Sequence, residues 1–209
     1  MIETAAVAFA TFFATISPVE AAAMFAAITA SSTAAHRRTM AVRGCLIASG
    51  IMLVFALFGQ ALLSAMGISL AALRTSGGIL LLLIGIDMVF VRSSGGTTTT
   101  MDETEEATTK ADISVFPLAT PIIAGPGAMG AAILLMADAH GDWRTQMVII
   151  GILLVVLLMT FLALLGATFL QKLLGVTGLH VISRVFGVLL AALAVQFIFD
   201  GIEQSGLLQ

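Results

Sequence analysis

Pro117-Leu118-Ala119-Thr120-Pro121-Ile122-Ile123-Ala124-Gly125-Pro126-Gly127 lies within an apolar stretch running from about residue 114 to 137. That stretch is long enough to cross a bilayer, whose hydrocarbon core of ~30 Å takes about 20 residues of helix. Yet it holds three of the chain's four prolines, and two glycines, within eleven residues. Proline removes a backbone donor and clashes with the preceding turn. It also pushes the residue before it out of helical geometry. Glycine exposes backbone and permits unusual dihedrals. Backbone groups freed in this way are costly in lipid unless protein or a watery cavity covers them. The stretch therefore reads as a membrane helix that stops and restarts inside the bilayer, beside a cavity.

The remaining proline falls at a corresponding place in the first apolar stretch, Thr15-Ile16-Ser17-Pro18-Val19-Glu20. Ser17 suits an N-cap and Pro18 the first helical position. Glu20 at the third position completes a capping box. Thr120-Pro121 repeats the cap pattern in the fourth stretch, and Phe13 and Phe116 precede the two proline pairs at the same spacing. The plainer alternative is a pair of kinks that only shape a bundle.

Working outward, the rest of the chain is built for lipid. Of 209 residues, 59% are hydrophobic and 10% charged, with a mean hydropathy of +1.12; a soluble domain carries roughly 25% charged residues. Six apolar stretches run from about 5 to 30, 43 to 66, 72 to 91, 114 to 137, 147 to 170 and 182 to 202, which predicts an all-α membrane protein of six spans. No basic n-region precedes the first stretch, so a retained span is expected there rather than a signal peptide. Residues 93–112, with four consecutive threonines at 97–100 and the run Asp102-Glu103-Thr104-Glu105-Glu106, cannot bury a core and read as a flexible cytoplasmic loop. The expected organisation is thus 1–92, the loop 93–112, and 113–209, together one membrane domain.

Those halves each hold three spans, an odd number, so the second enters the membrane in the opposite sense. Arg74 and Gly77 open the third span as Arg184 and Gly187 open the sixth, with Leu80 and Leu83 matching Leu190 and Leu193. The reading is two inverted-topology repeats with discontinuous first and fourth helices. With the amino terminus outside, Arg37, Arg38, Arg43, Arg92, Lys110, Lys172 and Arg184 fall inside, against Arg74 and Arg144 outside. The positive-inside rule selects that orientation, with both termini outside.

Helix ends facing a midplane cavity present bare amides and a positive dipole end, which suits a small anion or carboxylate. Freed carbonyls suit an ammonium. The predicted substrate-binding set is Ser17, Pro18, Thr120, Pro121, Gly125, Pro126, Gly127 and the deeper Gln196. Glu20 is a candidate proton carrier or a simple cap. Asp87 is expected to pair with Arg92 or reach water. Gly77-Gly78 and Gly85 suit close helix approach. Cys45 is the one cysteine, and the three histidines are scattered, so no metal site or cofactor is expected. Catalytic motifs and basic stripes are missing too, so neither an enzyme nor a nucleic-acid partner is expected.

At these residues the chain resembles the MarC family, also classed with the six-span neutral amino acid transporters. The likeness rests on Ser17-Pro18, Leu73-Arg74 with Gly77-Gly78, Pro117 through Gly127, Ile182-Ser183-Arg184 with Gly187, and the tail Val195-Gln196-Phe197-Ile198-Phe199-Asp200-Gly201-Ile202. It covers nearly the whole chain in order and spacing. Members often have Asn-Pro where this chain has Ser17-Pro18, and Glu20 matches no family motif. The resemblance implies a multi-pass protein of the bacterial or archaeal cytoplasmic membrane that transports small neutral amino acids such as glycine and alanine, driven by protons. The competing expectations are an exporter of other small metabolites or toxic compounds, and an accessory membrane protein that transports nothing. A homo-oligomer is left open.

Overall fold

The computed structural model describes residues 1–30, 32–90 and 112–206, and the backbone alone at 168, 170–177 and 179. Every element among them is helical: α1 (Ile2–Ile16), α2 (Pro18–Ile28), α3 (Ala34–Ala65), α4 (Leu70–Phe90), an irregular π-helical segment (Ser114–Ile123), α5 (Pro126–Asp138), α6 (Trp143–Leu165) and α7 (Ala167–Gln204). Apart from Asp112, the loop expected at 93–112 lies outside the described residues, as does Arg92, the partner expected for Asp87.

Five stretches have the length and apolarity of a membrane span: Ile2–Ile28, Ala34–Ala65, Leu70–Phe90, Trp143–Leu165 and His180–Gln204. The π-helical segment and α5, bent at 54°, make a sixth when taken as one. They fall on the six apolar stretches of the sequence. The fifth is displaced toward the amino terminus relative to its apolar run, beginning at Trp143. It stops at Leu165, and α7 begins at Ala167 and continues for 38 residues, roughly 57 Å at 1.5 Å per residue. Local chemistry sets several of the ends. Thr33 caps α3 by accepting from the His36 amide at 3.3 Å. Asp142 caps α6 by accepting from the Arg144 and Thr145 amides. The Thr145 hydroxyl bond, then the amides, hold the Asp142 carboxyl below the usual carboxylate range.

Burial separates inner from outer elements. Over its apolar core Ile2–Ile28 is 61% buried, against 22% for Ala34–Ala65 and 33% for Trp143–Leu165. In α5 every residue from Ala131 to Ala137 is buried. The interrupted helices therefore occupy the centre, and the regular ones surround them with Leu46, Leu57 and Phe58 of α3 and Leu154, Leu158 and Leu162 of α6 turned outward. This is the arrangement lipid demands, since irregular backbone is tolerated only under protein cover. Small buried residues (Ala21, Ala22 and Ala26 in α2; Ala128, Ala131 and Ala132 in α5) let the inner helices approach closely.

The most extensive helix contact joins α4 to α7. The pair is antiparallel: Ala71 and Thr75 meet Gly201, Gly78 meets Ala194 and Ile198, and Gly85 meets Gly187 and Ala191. A methyl group added to Gly85 would stand 2.9 Å from both the Ala191 nitrogen and the Gly187 carbonyl oxygen. Gly78 and Gly85 thus serve backbone approach, while Gly77 packs under Leu134.

Gly85→Val is expected to lower stability by about 1–3 kcal/mol through overpacking, read as a fall in thermal midpoint of the purified protein. Gly151→Ala, on α6 where an added carbon meets nothing within 4 Å, is the matched control and is expected to leave the midpoint unchanged or slightly raised.

Candidate functional site

The first helix break is one residue wide. Ser17 adopts a left-handed conformation, φ 45° and ψ 68°, which costs a non-glycine residue about 1–2 kcal/mol. Its amide still donates to the Phe13 carbonyl at 3.0 Å, and its carbonyl accepts from the Ala21 amide at 2.9 Å. Ser17 therefore closes α1 and opens α2 at once. Pro18, at the first position of α2, lacks an amide that would have no partner in any case.

The expected capping box is not formed. The Ser17 hydroxyl turns back to the Ala14 carbonyl at 2.7 Å, because the left-handed backbone aims it at α1 rather than at the α2 amides. Thr11 and Thr15 likewise donate to carbonyls one turn back, at 2.8 Å each. The Glu20 carboxylate instead accepts a hydrogen bond from the Ser183 hydroxyl of α7. A contact across 163 residues of sequence replaces a local cap.

A small cavity opens at this break. It is lined by Ala14, Thr15, Ile16 and Ser17 at the end of α1, and by Glu20, Ala21 and Met24 of α2. Ile84 and Met88 of α4 and Ile122 of the π-helical segment complete the wall. Its volume is about 30 Å³, room for a water or two. A smaller pocket of about 10 Å³ adjoins it, sharing Ser17, Glu20 and Met88, with Phe13, Val19, Ile182, Ser183 and Phe186 around it. The Phe13 and Phe186 rings pack there with centroids 4.4 Å apart.

The second break is longer and differently built. Phe116 (φ −130°, ψ 126°) and Thr120 (φ −132°, ψ 128°) are extended, as residues preceding proline prefer. The Phe116–Pro117 and Thr120–Pro121 bonds are cis. Between them the chain is held by bonds five residues apart, Leu118 amide to Ile113 carbonyl at 3.1 Å and Ala124 amide to Ala119 carbonyl at 2.8 Å. Thr120 does not cap a helix, since its hydroxyl donates to the Val115 carbonyl at 3.3 Å. The restart is at Gly125-Pro126, with Gly125 as N-cap and Pro126 first in α5.

The predicted residues are thus only partly brought together. Ser17 and Glu20 line the cavity. Pro18 is buried beside it. Thr120 and Pro121 are half-buried and Pro126 is exposed, none of them among the lining residues, and Ile122 is the point where that segment reaches the cavity. Gly125 lies under the Pro121 carbonyl. Gly127 packs against the Ile84 side chain, which is itself cavity wall. Gln196 is exposed, donates to Asp200 at 2.7 Å, and lies off the cavity. A depth estimate along α7 gives no facing, so Gln196 could not be oriented from sequence. Ser183, Ile84 and Met88 were missed as site residues for the same reason.

Among the described residues, two ion pairs flank the interior. Arg74, buried in α4, pairs with Asp138 at the end of α5, and its Nε meets no partner among the described residues. Arg43 pairs with Asp112 at 3.2 Å where both are exposed. The Ser114 hydroxyl and amide, then Arg43, hold the Asp112 carboxyl below the usual range. Among the described residues no cluster of His, Cys, Asp or Glu could hold a metal ion.

Residues 2–205 match the sequence profile of the MarC family integral membrane proteins. Relatives are found in archaea and bacteria. The chain is 39% identical to a UPF0056 membrane protein of Methanocaldococcus jannaschii, covering 94% of each chain. It is 35% identical to the UPF0056 membrane protein YvbG of Bacillus subtilis, covering 93% of this chain and 92% of that one. It is 32% identical to YhcE of Escherichia coli, covering 91% and 88%. No solved structure matches the chain.

Removing one partner of a buried ion pair typically costs about 3–5 kcal/mol, and the partial exposure of Asp138 puts Asp138→Asn toward the lower end. Arg74→Met with Asp138→Leu is expected to cost clearly less than the two single changes summed. Thermal midpoints across the four-member mutant cycle test this; additive losses would contradict it.

Proposed function

Because the chain belongs to the MarC family of integral membrane proteins, we propose that it is a secondary transporter of small neutral amino acids of the glycine and alanine class. The observation that carries this reading is the cavity at Ser17. One wall is the carbonyl end of α1 (Thr15 and Ile16, the Ala14 carbonyl already accepting from the Ser17 hydroxyl) and the other is the amide end of α2. Carbonyls of a last helical turn lack partners within their own helix, as do amides of a first turn. An ammonium matches the first set and the Glu20 carboxylate beside it. A carboxylate matches the first-turn amides of α2, Glu20 at this cavity and Val19 at the adjoining pocket, and the positive dipole end. A small zwitterion carries both groups within a few ångströms. The apolar wall of Ile84, Met88 and Ile122 favours a neutral, short side chain.

In this reading the two interrupted elements are discontinuous membrane helices of inverted repeats, which in secondary transporters support alternating access around a midplane site. The antiparallel α4–α7 pair, joining the third span of one half to the sixth of the other, agrees with that symmetry. At about 30 Å³ the cavity corresponds to a closed state, and movement of Ile84 and Met88 on α4 would admit substrate. Glu20 is the proton-coupling group, and its bond from Ser183 links its charge to the position of α7. The protein sits in the cytoplasmic membrane with both termini outside, and it is not an enzyme.

The direct test is flux of labelled glycine and alanine into proteoliposomes, with and without an imposed pH gradient. Saturable flux stimulated at least several-fold by the gradient is expected; no saturable flux for any small amino acid would sink the proposal. Glu20→Gln is expected to weaken substrate affinity, since an uncharged amide replaces the carboxylate beside the ammonium, and to lose the pH-driven component of the flux that remains at saturating substrate. Gly127→Leu is expected to drive Ile84 into the cavity and cut flux at least tenfold while insertion persists.

A further inference from the structure

Away from that cavity, two larger hollows follow one another along the outer groove between α3 and α6. The first, about 300 Å³, is lined by Phe25, Ala34, Arg37, Arg38, Leu164 and Leu165. The second, about 290 Å³, lies among Val42, Cys45, Leu46 and Ser49 of α3 and Leu154, Leu157, Leu158 and Phe161 of α6. Residue numbers rise along α3 as they fall along α6, so the hollows are successive parts of one groove between antiparallel helices. Its mouth is basic: Arg38 is exposed, and the Arg37 guanidinium lies 5.9 Å over the Phe25 ring. Below the arginines the groove is almost wholly apolar. Leu157 and Cys45 are buried in its floor, while Leu46, Leu154 and Leu158 stand exposed along its rim.

We propose that this groove binds an anionic phospholipid, the phosphate at Arg37 and Arg38 and one acyl chain along the groove. Three features select this occupant. Charge is confined to one end, as in the lipid. Basic pockets between membrane helices at the headgroup level are suited to phosphate groups. Length also fits: from Arg37 to Ser49 is twelve residues of helix, roughly 18 Å, close to one leaflet of a ~30 Å hydrocarbon core. A zwitterionic lipid fills the groove equally but gains less from two arginines, and a free phosphate gains nothing from the apolar part. The inference depends on the chain spanning a bilayer and is independent of the transport reading.

Thermal midpoints of the purified, detergent-solubilised protein, titrated with phosphatidylglycerol, phosphatidylcholine or glycerol phosphate, test it through stabilisation by bound ligand. Half-maximal stabilisation by phosphatidylglycerol is expected at a concentration at least tenfold below that of phosphatidylcholine, with no effect of glycerol phosphate. Arg38→Gln, at an exposed position that folding tolerates, is expected to shrink the difference several-fold, and R37Q/R38Q to abolish it. Leu46→Trp, which narrows the groove from its rim, is expected to weaken both lipids. Equal potency of the two lipids in the native protein would overturn the proposal, as would a preference that survives R37Q/R38Q or a second copy of the chain occupying the groove. Stabilisation by glycerol phosphate alone would also overturn it, pointing to a free-anion site.

Discussion

Backbone hydrogen bonding in lipid is the constraint on which this structure turns. Every amide and carbonyl in the hydrocarbon region must be satisfied by the chain itself, by a neighbouring helix or by a sheltered cavity. The irregular backbone at Ser17 and between Phe116 and Gly125 must therefore be buried. The chain achieves this by placing α1–α2 and the π-helical segment with α5 at the centre and covering them with α3, α4, α6 and α7. The alanine-rich faces of the inner helices and the glycines of the α4–α7 contact follow from the same need, because cover is effective only when backbones come close.

The two interruptions meet the constraint by different means. At Ser17 a single left-handed residue keeps its hydrogen bonds to both flanking helices, so the opening is narrow and the lost bonds few. Between Phe116 and Gly125 two prolines four residues apart force two extended residues, and bonds of wider span fill in between them. The first break leaves a cavity with helix ends of opposite polarity on its sides. The second contributes to that cavity through Ile122 and, at one remove, through Gly127 pressing on Ile84.

Polar groups in the interior follow the same economy. Hydroxyls of Thr11, Thr15 and Ser17 are satisfied within their own helix. Glu20 and Arg74 find partners on distant elements, Ser183 and Asp138. These two long-range pairs tie α2 to α7 and α4 to α5, so half-buried Glu20 and buried Arg74 each fix how two helices sit against one another.

The sequence alone determined the membrane-spanning class and the six apolar stretches to within a few residues at most ends, and its prolines mark where the helical backbone is irregular. Those features depend on composition and on proline's fixed ring, which act locally whatever the surroundings. Which break would hold a cavity, and which side chains would face it, only the tertiary structure decided. Apolar helices carry little amphipathic signal when lipid and core are equally apolar, so the inward facing of Ile84, Met88 and Ser183 and the outward facing of Gln196 could not be read from spacing. The capping box at Ser17 looked complete in one dimension. It lost to a left-handed turn and to a serine 163 residues away, because a partner brought close by packing competes on equal terms with one close in sequence.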